Sequence, residues 1–436
     1  MWAKIKLLVL QKPCPMDQQT NQDFVETQLS LSSRLQELAQ LFLKLGTIGF
    51  GGPQAHIAMI HNEAVVQRGW FSEEQFIEGV AVCEMLPGPA STQMGIYTGY
   101  IRAGQLGALV AGVCFVLPAF LIVLTLSWAY FRFQGVPQID DLFLGISPVV
   151  IAIIFGFCWK LAKKAIKDWK GVAIALSVLL ITLLFQVNVL LQFILAGIVG
   201  LILYRPKQPP PSAPLNHTSA WLLPLIPIVQ VLPKTLATLS GETLALSSFW
   251  GLERIQEYFV PLTLFFLKVG SFIFGGGLVI IPLLESEVVS QLHWLTQNEF
   301  IDGVAIGELT PGPVTITAAF VGYKVAGALG ALVAAIAIFT PSFVMIMGAA
   351  PFLLRLRRNP WIGSFLKGVT PAVLGAIAAA AIPLAQAAIL QDTLERSLVA
   401  AIVGIIALVA LIRFKRPTWQ LVPGGAVVGL IAGALL

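Results

Sequence analysis

The 436-residue sequence contains one long block twice, and this duplication limits the folds that the chain can adopt. The stretch Phe42–Gly46 (Phe-Leu-Lys-Leu-Gly) recurs as Phe266–Gly270 (Phe-Leu-Lys-Val-Gly). The match then continues without a gap to Glu84–Pro89 in the first copy and Glu308–Pro313 in the second. After one deletion in the second copy, the register extends as far as Pro118 of the first. We therefore expect a fold built from two similar halves.

Both halves consist largely of apolar runs. Hydrophobic residues make up 57% of the chain and charged residues 11%, where soluble proteins have about 25% charged residues. Runs such as Gly171–Phe185 and Leu398–Ile412 are continuous and do not alternate as the strands of a membrane barrel do. The sequence therefore predicts an all-α polytopic membrane protein in a lipid bilayer. The net charge of +5 comes from basic residues in short loops, so it indicates topology and not nucleic-acid binding.

The duplication divides the chain into four segments. We expect an N-terminal polar or amphipathic segment over residues 1–35 and a first transporter repeat over 36–204. A linker over residues 205–255 has room for one additional span at Trp221–Leu239, and a second repeat covers 256–436.

The charges of the loops predict opposite orientations for the two copies. Lys160–Lys170 and Arg205–Lys207 are basic in the first copy, whereas Arg355–Lys367 and Arg413–Arg416 are basic in the second. The basic loops alternate within each copy, and the alternation is out of phase between the copies. Because basic loops face the cytoplasm, this pattern predicts inverted-topology repeats, a frequent plan among secondary transporters. An additional span between the copies is what such an inversion requires.

Two pairs of glycine- and proline-rich segments interrupt the apolar runs at equivalent places. The first pair is Gly46–Pro53 and Gly270–Gly277, and the second pair is Pro87–Pro89 and Pro311–Pro313. Each adjoining apolar piece is about 15 residues long, shorter than the roughly 20 that a span needs, which favours broken or re-entrant helices. The alternative is that the glycines only allow close helix packing.

The interruptions predict a substrate site near the middle of the membrane. Helices that restart after Pro89 and Pro313 would expose N–H groups and a positive dipole end, which suits an anion. Simple N-capping by the hydroxyl side chains is the competing interpretation. The candidate substrate-binding residues outside the lysines are Gly51, Gly52, Pro87, Gly88, Pro89, Thr92, Gln93, Gly275, Gly276, Pro311, Gly312, Pro313, Thr315 and Thr317.

Two pairs of charged residues lie inside apolar segments. Lys44 and Lys268 occupy equivalent positions before the glycine-rich breaks and are candidates for binding the anion, although a lysine can also reach the membrane surface. Glu84 and Glu308 precede the Pro-Gly-Pro motifs and are candidates for carrying a coupling proton, for pairing with the lysines, or for capping a half-helix. The four cysteines and four histidines have no metal-ligand spacing, so we expect no metal and no cofactor.

The repeated motifs resemble those of the chromate transporter (CHR) family in its two-domain form. Phe-Leu-Lys-x-Gly, Phe-Gly-Gly and Glu-x-x-Pro-Gly-Pro occur in both halves, from about Leu38 onwards; Gly277 replaces the proline that follows Phe-Gly-Gly in the first copy. The resemblance implies a multi-pass transporter of the cytoplasmic (inner) membrane that expels chromate, an oxyanion similar to sulfate, and so confers chromate resistance. The alternatives are an anion channel or a carrier of an organic substrate. The sequence leaves open whether the protein forms a homodimer. No catalytic or nucleotide-binding motif indicates an enzyme.

Overall fold

The computed structural model describes residues 30–134, 136–185, 187–205, 249–273, 277–357 and 360–435. Within these ranges the regular elements are helices. Those of the first half are α1 Leu31–Ile48, α2 Gly52–His61, α3 Glu73–Met85, α4 Ala90–Arg132, α5 Pro137–Ala165, α6 Trp169–Phe185 and α7 Val189–Leu203. Those of the second half follow in the same order: α8 Leu252–Ser271, α9 Ile280–Leu284, α10 Gln297–Leu309, α11 Thr317–Arg357, α12 Pro360–Ile389, α13 Leu394–Ile412 and α14 Thr418–Leu435.

Six of the described helices, α4, α5 and α11 to α14, are long and apolar enough to cross a membrane. The prediction of an all-α polytopic membrane protein is thereby confirmed. Residues 1–29 and 206–248 lie outside the described residues. Most of the N-terminal segment and of the linker, together with the additional span at Trp221–Leu239, therefore remain predictions.

In each half the first and third helices end at the glycine- and proline-rich segments, as the sequence predicted. Helix α1 ends at Ile48, and the chain reverses through Gly51, whose φ of +116° few other residues adopt, into α2. The chain then continues as a π-helical segment, Asn62–Gln67, and returns as α3, which Ser72 and Gln75 start with a reciprocal capping box. The second half repeats this path, with a π-helical segment at Glu285–Val289 and a capping box at the start of α10.

Helix α4 consists of two antiparallel arms. Its dihedral angles leave the helical range at Ala103 and Gly104, so we call residues 90–102 arm α4a and residues 105–132 arm α4b. Gly99 of α4a lies directly against the backbone of Gly107 of α4b. Helix α11 turns in the same way at Ala326 and Gly327, which gives arm α11a (317–325) and arm α11b (328–357). The first arm of each helix is therefore re-entrant, and the second arm crosses the molecule.

The two halves enter the bundle from opposite ends. At the first end Arg102, which closes α4a, pairs with Glu37 of α1 at 3.1 Å and lies 5.3 Å from the ring of Trp70, just before α3. Arm α4b leads to the second end, where Gln134 donates to Glu299 at 3.2 Å. Glu299 lies in the first turn of α10, the counterpart of α3. Because the matching hairpins start from opposite ends, the repeats are inverted, as the loop charges predicted.

The remaining helices of the two halves exchange partners. Helix α5 packs along α13 and α14 of the second half, and α12 packs along α6 and α7 of the first. Small residues permit the close crossings: Gly145 of α5 meets Gly425 and Gly429 of α14, and Gly368 of α12 meets Gly200 of α7. These six helices, α5–α7 and α12–α14, form one interlocked unit, here called the helix scaffold. The re-entrant segments of the second half contact the scaffold, whereas those of the first half contact mainly α4 and α11.

Candidate functional site

The re-entrant tips of the two halves meet at the centre of the bundle through a reciprocal pair of backbone hydrogen bonds. The N–H of Gly88 donates to the carbonyl of Ile273 at 2.5 Å, and the N–H of Gly312 donates to the carbonyl of Gly49 at 2.9 Å. Both glycines have a positive φ, +130° and +104°, which a side chain would disfavour. Each Pro-Gly-Pro motif therefore binds the glycine-rich break of the other half, and the four interruptions predicted from the sequence form a single site.

A cavity of about 380 Å³ adjoins this crossing. Its walls come from both sets of tips and from the first-end parts of the scaffold helices α5, α13 and α14. The lining residues are Gly49, Phe50, Gly51, Gly52, Pro53, Gln54, Cys83, Glu84, Gly88, Ala90, Ile153, Phe157, Lys160, Leu161, Gly277, Leu278, Glu308, Thr310, Gly312, Val314, Leu411 and Thr418. Predicted residues Gly51, Gly52, Gly88, Gly312, Glu84 and Glu308 are among them, whereas Gly275 and Gly276 lie outside the described residues.

Helix N-termini converge on the cavity. Helix α2 begins at Gly52 and α4 at Ala90, while short 3₁₀ turns begin at Gly277 and Val314, and all four residues line the wall. The first N–H groups of a helix lack intrahelical acceptors and carry a partial positive charge. The side chain of Lys160 adds a full positive charge at the first-end side of the cavity. This arrangement favours an anion.

The two copies of the Glu-x-x-Pro-Gly-Pro motif each place their glutamate on the wall of this cavity. Glu84 is exposed there and accepts a 3.4 Å hydrogen bond from Gln54. Glu308 is more enclosed, and its Oε1 atom has no hydrogen-bond partner among the described residues. The structure thus brings together the two side chains that the sequence nominated as proton carriers, one from each half.

Lys44 and Lys268, predicted to bind the substrate, are not among the residues that line the cavity. Lys44 pairs with Glu63 at 2.7 Å, and Lys268 pairs with Glu287 in the equivalent place. Each pair joins the first helix of its half to the π-helical segment that follows, and so closes the first hairpin. The Lys44 side chain is 55% exposed, whereas that of Glu63 is 10% exposed. The lysines thus neutralise a buried carboxylate, and we do not propose them as ligands of the anion.

The hydroxyl and amide candidates lie behind the crossing, outside the cavity wall. Thr92 and Gln93 of α4a and Thr315 and Thr317 after the second motif are all buried. Gln93 donates to the carbonyl of Pro87 at 2.6 Å, and Thr317 donates to the carbonyl of Val314 at 2.8 Å.

Thr92 Oγ1 and Thr315 Oγ1 have no partner among the described residues. The N-caps here are Pro89 and Pro313, without a side-chain capping bond. The hydroxyls of Thr92 and Thr315 therefore do not cap these helices. Pro311 is buried in the second tip.

Lys160 is the functional candidate that sequence reasoning missed. It was grouped with the basic loop Lys160–Lys170, but α5 continues to Ala165 and places it on the cavity wall. It forms no ion pair or hydrogen bond with the described residues. The signal that could have found it is its position at the end of a long apolar run, before the cluster of lysines that marks the membrane surface. Thr310, next to the second motif, and Thr418, at the start of α14, were also missed.

Inverted repeats whose re-entrant tips meet beside a central cavity define a polytopic membrane transport protein. A sequence model of the chromate transporter family matches residues 36–201 and 260–430. The chain belongs to the chromate transporter family.

Individual relatives agree with the family match. The chain is 35% identical to a chromate transport protein of Cupriavidus metallidurans over 92% of its own length and 94% of the relative's. It is 35% identical to a probable chromate transport protein of Synechococcus elongatus over 91% and 95%. It is also 30% identical to an uncharacterized transporter of Methanocaldococcus jannaschii over 90% and 94%. No solved structure matches the chain significantly.

Proposed function

We propose that the protein is a secondary transporter that exports a tetrahedral divalent oxyanion across the cytoplasmic (inner) membrane, with chromate as the first candidate and sulfate-like anions as the second. The names of the relatives from Cupriavidus metallidurans and Synechococcus elongatus support chromate. The substrate occupies the central cavity, and the inverted repeats give access to it from the two ends in turn.

The observation that carries this proposal is the set of positive groups on the cavity wall. N–H groups at the starts of α2 and α4 and the ammonium group of Lys160 surround one small volume. A tetrahedral dianion can accept hydrogen bonds in several directions at once, so it matches donors that converge from different helices. Lys160 replaces Lys44 and Lys268 as the residue that balances the charge of the anion.

Glu84 and Glu308 are the proposed carriers of the coupling proton. Both line the cavity that holds the anion, so protonation of either carboxylate reduces the negative charge beside a dianion. The proton and the anion are thereby bound in the same state and leave together, so the inside-negative membrane potential drives export through the negative charge that remains.

The test is flux through purified protein in liposomes, with radiolabelled chromate and sulfate under imposed pH and voltage gradients. Saturable counterflow of chromate is the expected result. A unitary conductance would establish an anion channel instead, and flux of neither oxyanion would leave a carrier of an organic substrate as the better assignment.

A substitution on α5 tests the proposed position of the anion. Lys160→Gln should raise the KM for chromate at least about tenfold, because a difference of about 1.4 kcal/mol, small for a charge beside a dianion, already produces that change. Lys163→Gln is the matched control, since Lys163 lies on the same helix but contacts the ring of Trp159 at 4.9 Å and does not line the cavity. An unchanged KM in Lys160→Gln would show that the anion does not bind in this part of the cavity.

A further inference from the structure

The two inverted halves differ most in how their second re-entrant hairpins are packed. Nine consecutive residues of α10, from Glu299 to Gly307, are buried, and α10 contacts α5, α12 and α14 of the helix scaffold. Its counterpart α3 contacts α4 and α11 but shares almost no contact with α12, which is the match of α5. The equivalent residues Ile77 of α3 and Ile301 of α10 are 55% and 2% exposed.

A buried carboxylate joins the two halves where α10 meets α5. Asp302 accepts a hydrogen bond from the hydroxyl of Tyr130 at 2.7 Å and another from Ser147 at 3.2 Å. Tyr130 and Ser147 belong to the first half, on α4b and α5, and all three side chains are buried at the second end. Close by, Gln134 of the first half donates to Glu299 at 3.2 Å, so the second end is closed by a layer of polar contacts between the halves.

The duplication supplies the same polar pair at the first end, where the contact is not made. Asp302 corresponds to Glu78 within the repeated motif Phe-Ile-acid-Gly-Val-Ala. Ser147 corresponds to Thr370, because Gly145–Pro148 (Gly-Ile-Ser-Pro) matches Gly368–Pro371 (Gly-Val-Thr-Pro). Glu78 is exposed and accepts no hydrogen bond from the described residues, and Thr370 donates to the carbonyl of Leu366 within its own helix at 2.8 Å.

The cavity opens on the side where that contact is missing. Lys160 and Thr418 lie in the first-end parts of their helices, since α5 runs from the second end to the first and α14 runs antiparallel to it. The described conformation is therefore closed at the second end by α10 on α5 and open at the first end between α3 and the scaffold.

We infer that Asp302 and Ser147 form the gate at the second end, with Tyr130 as a positioning residue, and that Glu78 and Thr370 form the matching gate at the first end. In the opposite state α3 packs on α12 as α10 now packs on α5, and α10 moves away. This inference rests on the alternating access of the proposed function, and it names the residues that alternate. A carboxylate and a hydroxyl suit a gate, because each is solvated when the gate opens and hydrogen-bonded when it closes.

Paired cysteines test the two gates in a parent in which Cys14, Cys83, Cys114 and Cys158 are replaced by serine. Ser147→Cys with Asp302→Cys should form a disulfide without substrate, since the two side chains are already in contact. That disulfide should abolish transport, and a reductant should restore it. Glu78→Cys with Thr370→Cys should form a disulfide only during turnover, and it should also abolish transport.

A reporter at the mouth of the cavity shows which end is open. Thr418→Cys, added to each pair, should react with a membrane-impermeant thiol reagent when residues 147 and 302 are linked. It should be protected at least tenfold when residues 78 and 370 are linked. Failure of the 78–370 pair to link in a protein that transports, or equal reactivity of the reporter in both linked forms, would overturn the gate assignment.

A third pair controls for non-specific blocking. Asp141 of α5 lies directly against the backbone of Gly433 of α14, and both helices belong to the scaffold at the second end. Asp141→Cys with Gly433→Cys should link without stopping transport, and a complete block by this pair would also overturn the assignment.

An error in the proposed function would give a different experimental result from an error in the gate assignment. Absence of chromate and sulfate flux in the parent would refute the proposed function, while the reporter still tests whether the two links hold the cavity in opposite states.

Discussion

The hydroxyl of Tyr130 offers a substitution that changes the closed second end and little else. It donates to Asp302 Oδ2 at 2.7 Å. The ring of Tyr130 is held separately by Phe131, Phe143 and Phe320, with centroid distances of 4.9, 5.4 and 5.5 Å. Tyr130→Phe therefore retains the aromatic packing and removes one hydrogen bond between the halves.

The expected effect follows from that one bond. Hydrogen bonds between membrane helices contribute about 0.6 kcal/mol on average and about 1.7 kcal/mol at most, and bonds to a charged acceptor in proteins reach about 3 kcal/mol. We expect the loss of about 1 to 2 kcal/mol from the closed state, since Asp302 retains its bond from Ser147. The population open at the second end should rise about 5- to 30-fold, because a two-state equilibrium shifts by the difference in free energy between its states.

Labelling of a buried position at the second end measures this population. Ile301→Cys, in the parent without other cysteines, replaces a side chain that is 2% exposed in the closed state. Its reaction with an impermeant thiol reagent should be about 5- to 30-fold faster in the Tyr130→Phe background, in proportion to the open population.

Tyr323→Phe is the control for that measurement. Tyr323 lies at the same end, is also buried, and its hydroxyl donates to none of the described residues. Loss of the Tyr323 hydroxyl should leave the labelling rate within about twofold of the rate in the parent. A Tyr130→Phe variant that melts at a lower temperature but labels at the parental rate would refute the gating role and leave Tyr130 as a packing residue.

Three further substitutions separate structural from transport roles. Lys44→Gln and Lys268→Gln each leave a mostly buried glutamate without its lysine partner. Both should lower the melting temperature of the detergent-purified protein and leave the KM for chromate within about twofold, since neither lysine lines the cavity. A rise in KM comparable to that of Lys160→Gln would return these lysines to the substrate site. Gly99→Leu places a side chain into the backbone of Gly107 and should destabilise the α4 hairpin by about 1 to 3 kcal/mol or more, seen as a lower yield of monodisperse protein in gel filtration. A wild-type yield and melting temperature would contradict the close arm contact.

The interruptions could be predicted from the sequence because they depend on local chemistry. Proline lacks an N–H group and glycine tolerates a positive φ, so the clusters Pro87–Pro89 and Gly46–Pro53 favour the end of a helix whatever packs around them. The inversion could also be predicted, because loop charge records which end each loop faces. The contacts between the tips could not be predicted, since the hydrogen bond from Gly88 to Ile273 joins residues far apart in the chain.

The pairing of Lys44 and Lys268 with Glu63 and Glu287 was not predicted, although the duplication holds the signal for it. Glu63 follows Lys44 at the same spacing as Glu287 follows Lys268, so the two pairs repeat together. The sequence predicts anion binding, a position at the membrane surface, or pairing with Glu84 and Glu308 for these lysines, whereas a repeated acid at a fixed distance indicates an ion pair that closes a hairpin. Lys160 was overlooked for the opposite reason, because the depth of a residue at a helix end depends on tertiary packing.

The tips of the two halves are symmetric in their backbone contacts and in Glu84 and Glu308, whereas the scaffold wall of the cavity is not symmetric. The reciprocal bonds of Gly88 and Gly312 use main-chain atoms only, so they tolerate divergence of side chains while they keep the tips together in both halves. The scaffold wall has diverged: Lys160 of α5 corresponds to Pro383 of α12, so the cavity has its lysine on one side only. In the proposed cycle this charge lies near the opening in the described state and is covered when α3 packs on α12. The proposed alternation thus uses the repeated backbone and gate, whereas the proposed recognition of the anion uses Lys160, which only one half carries.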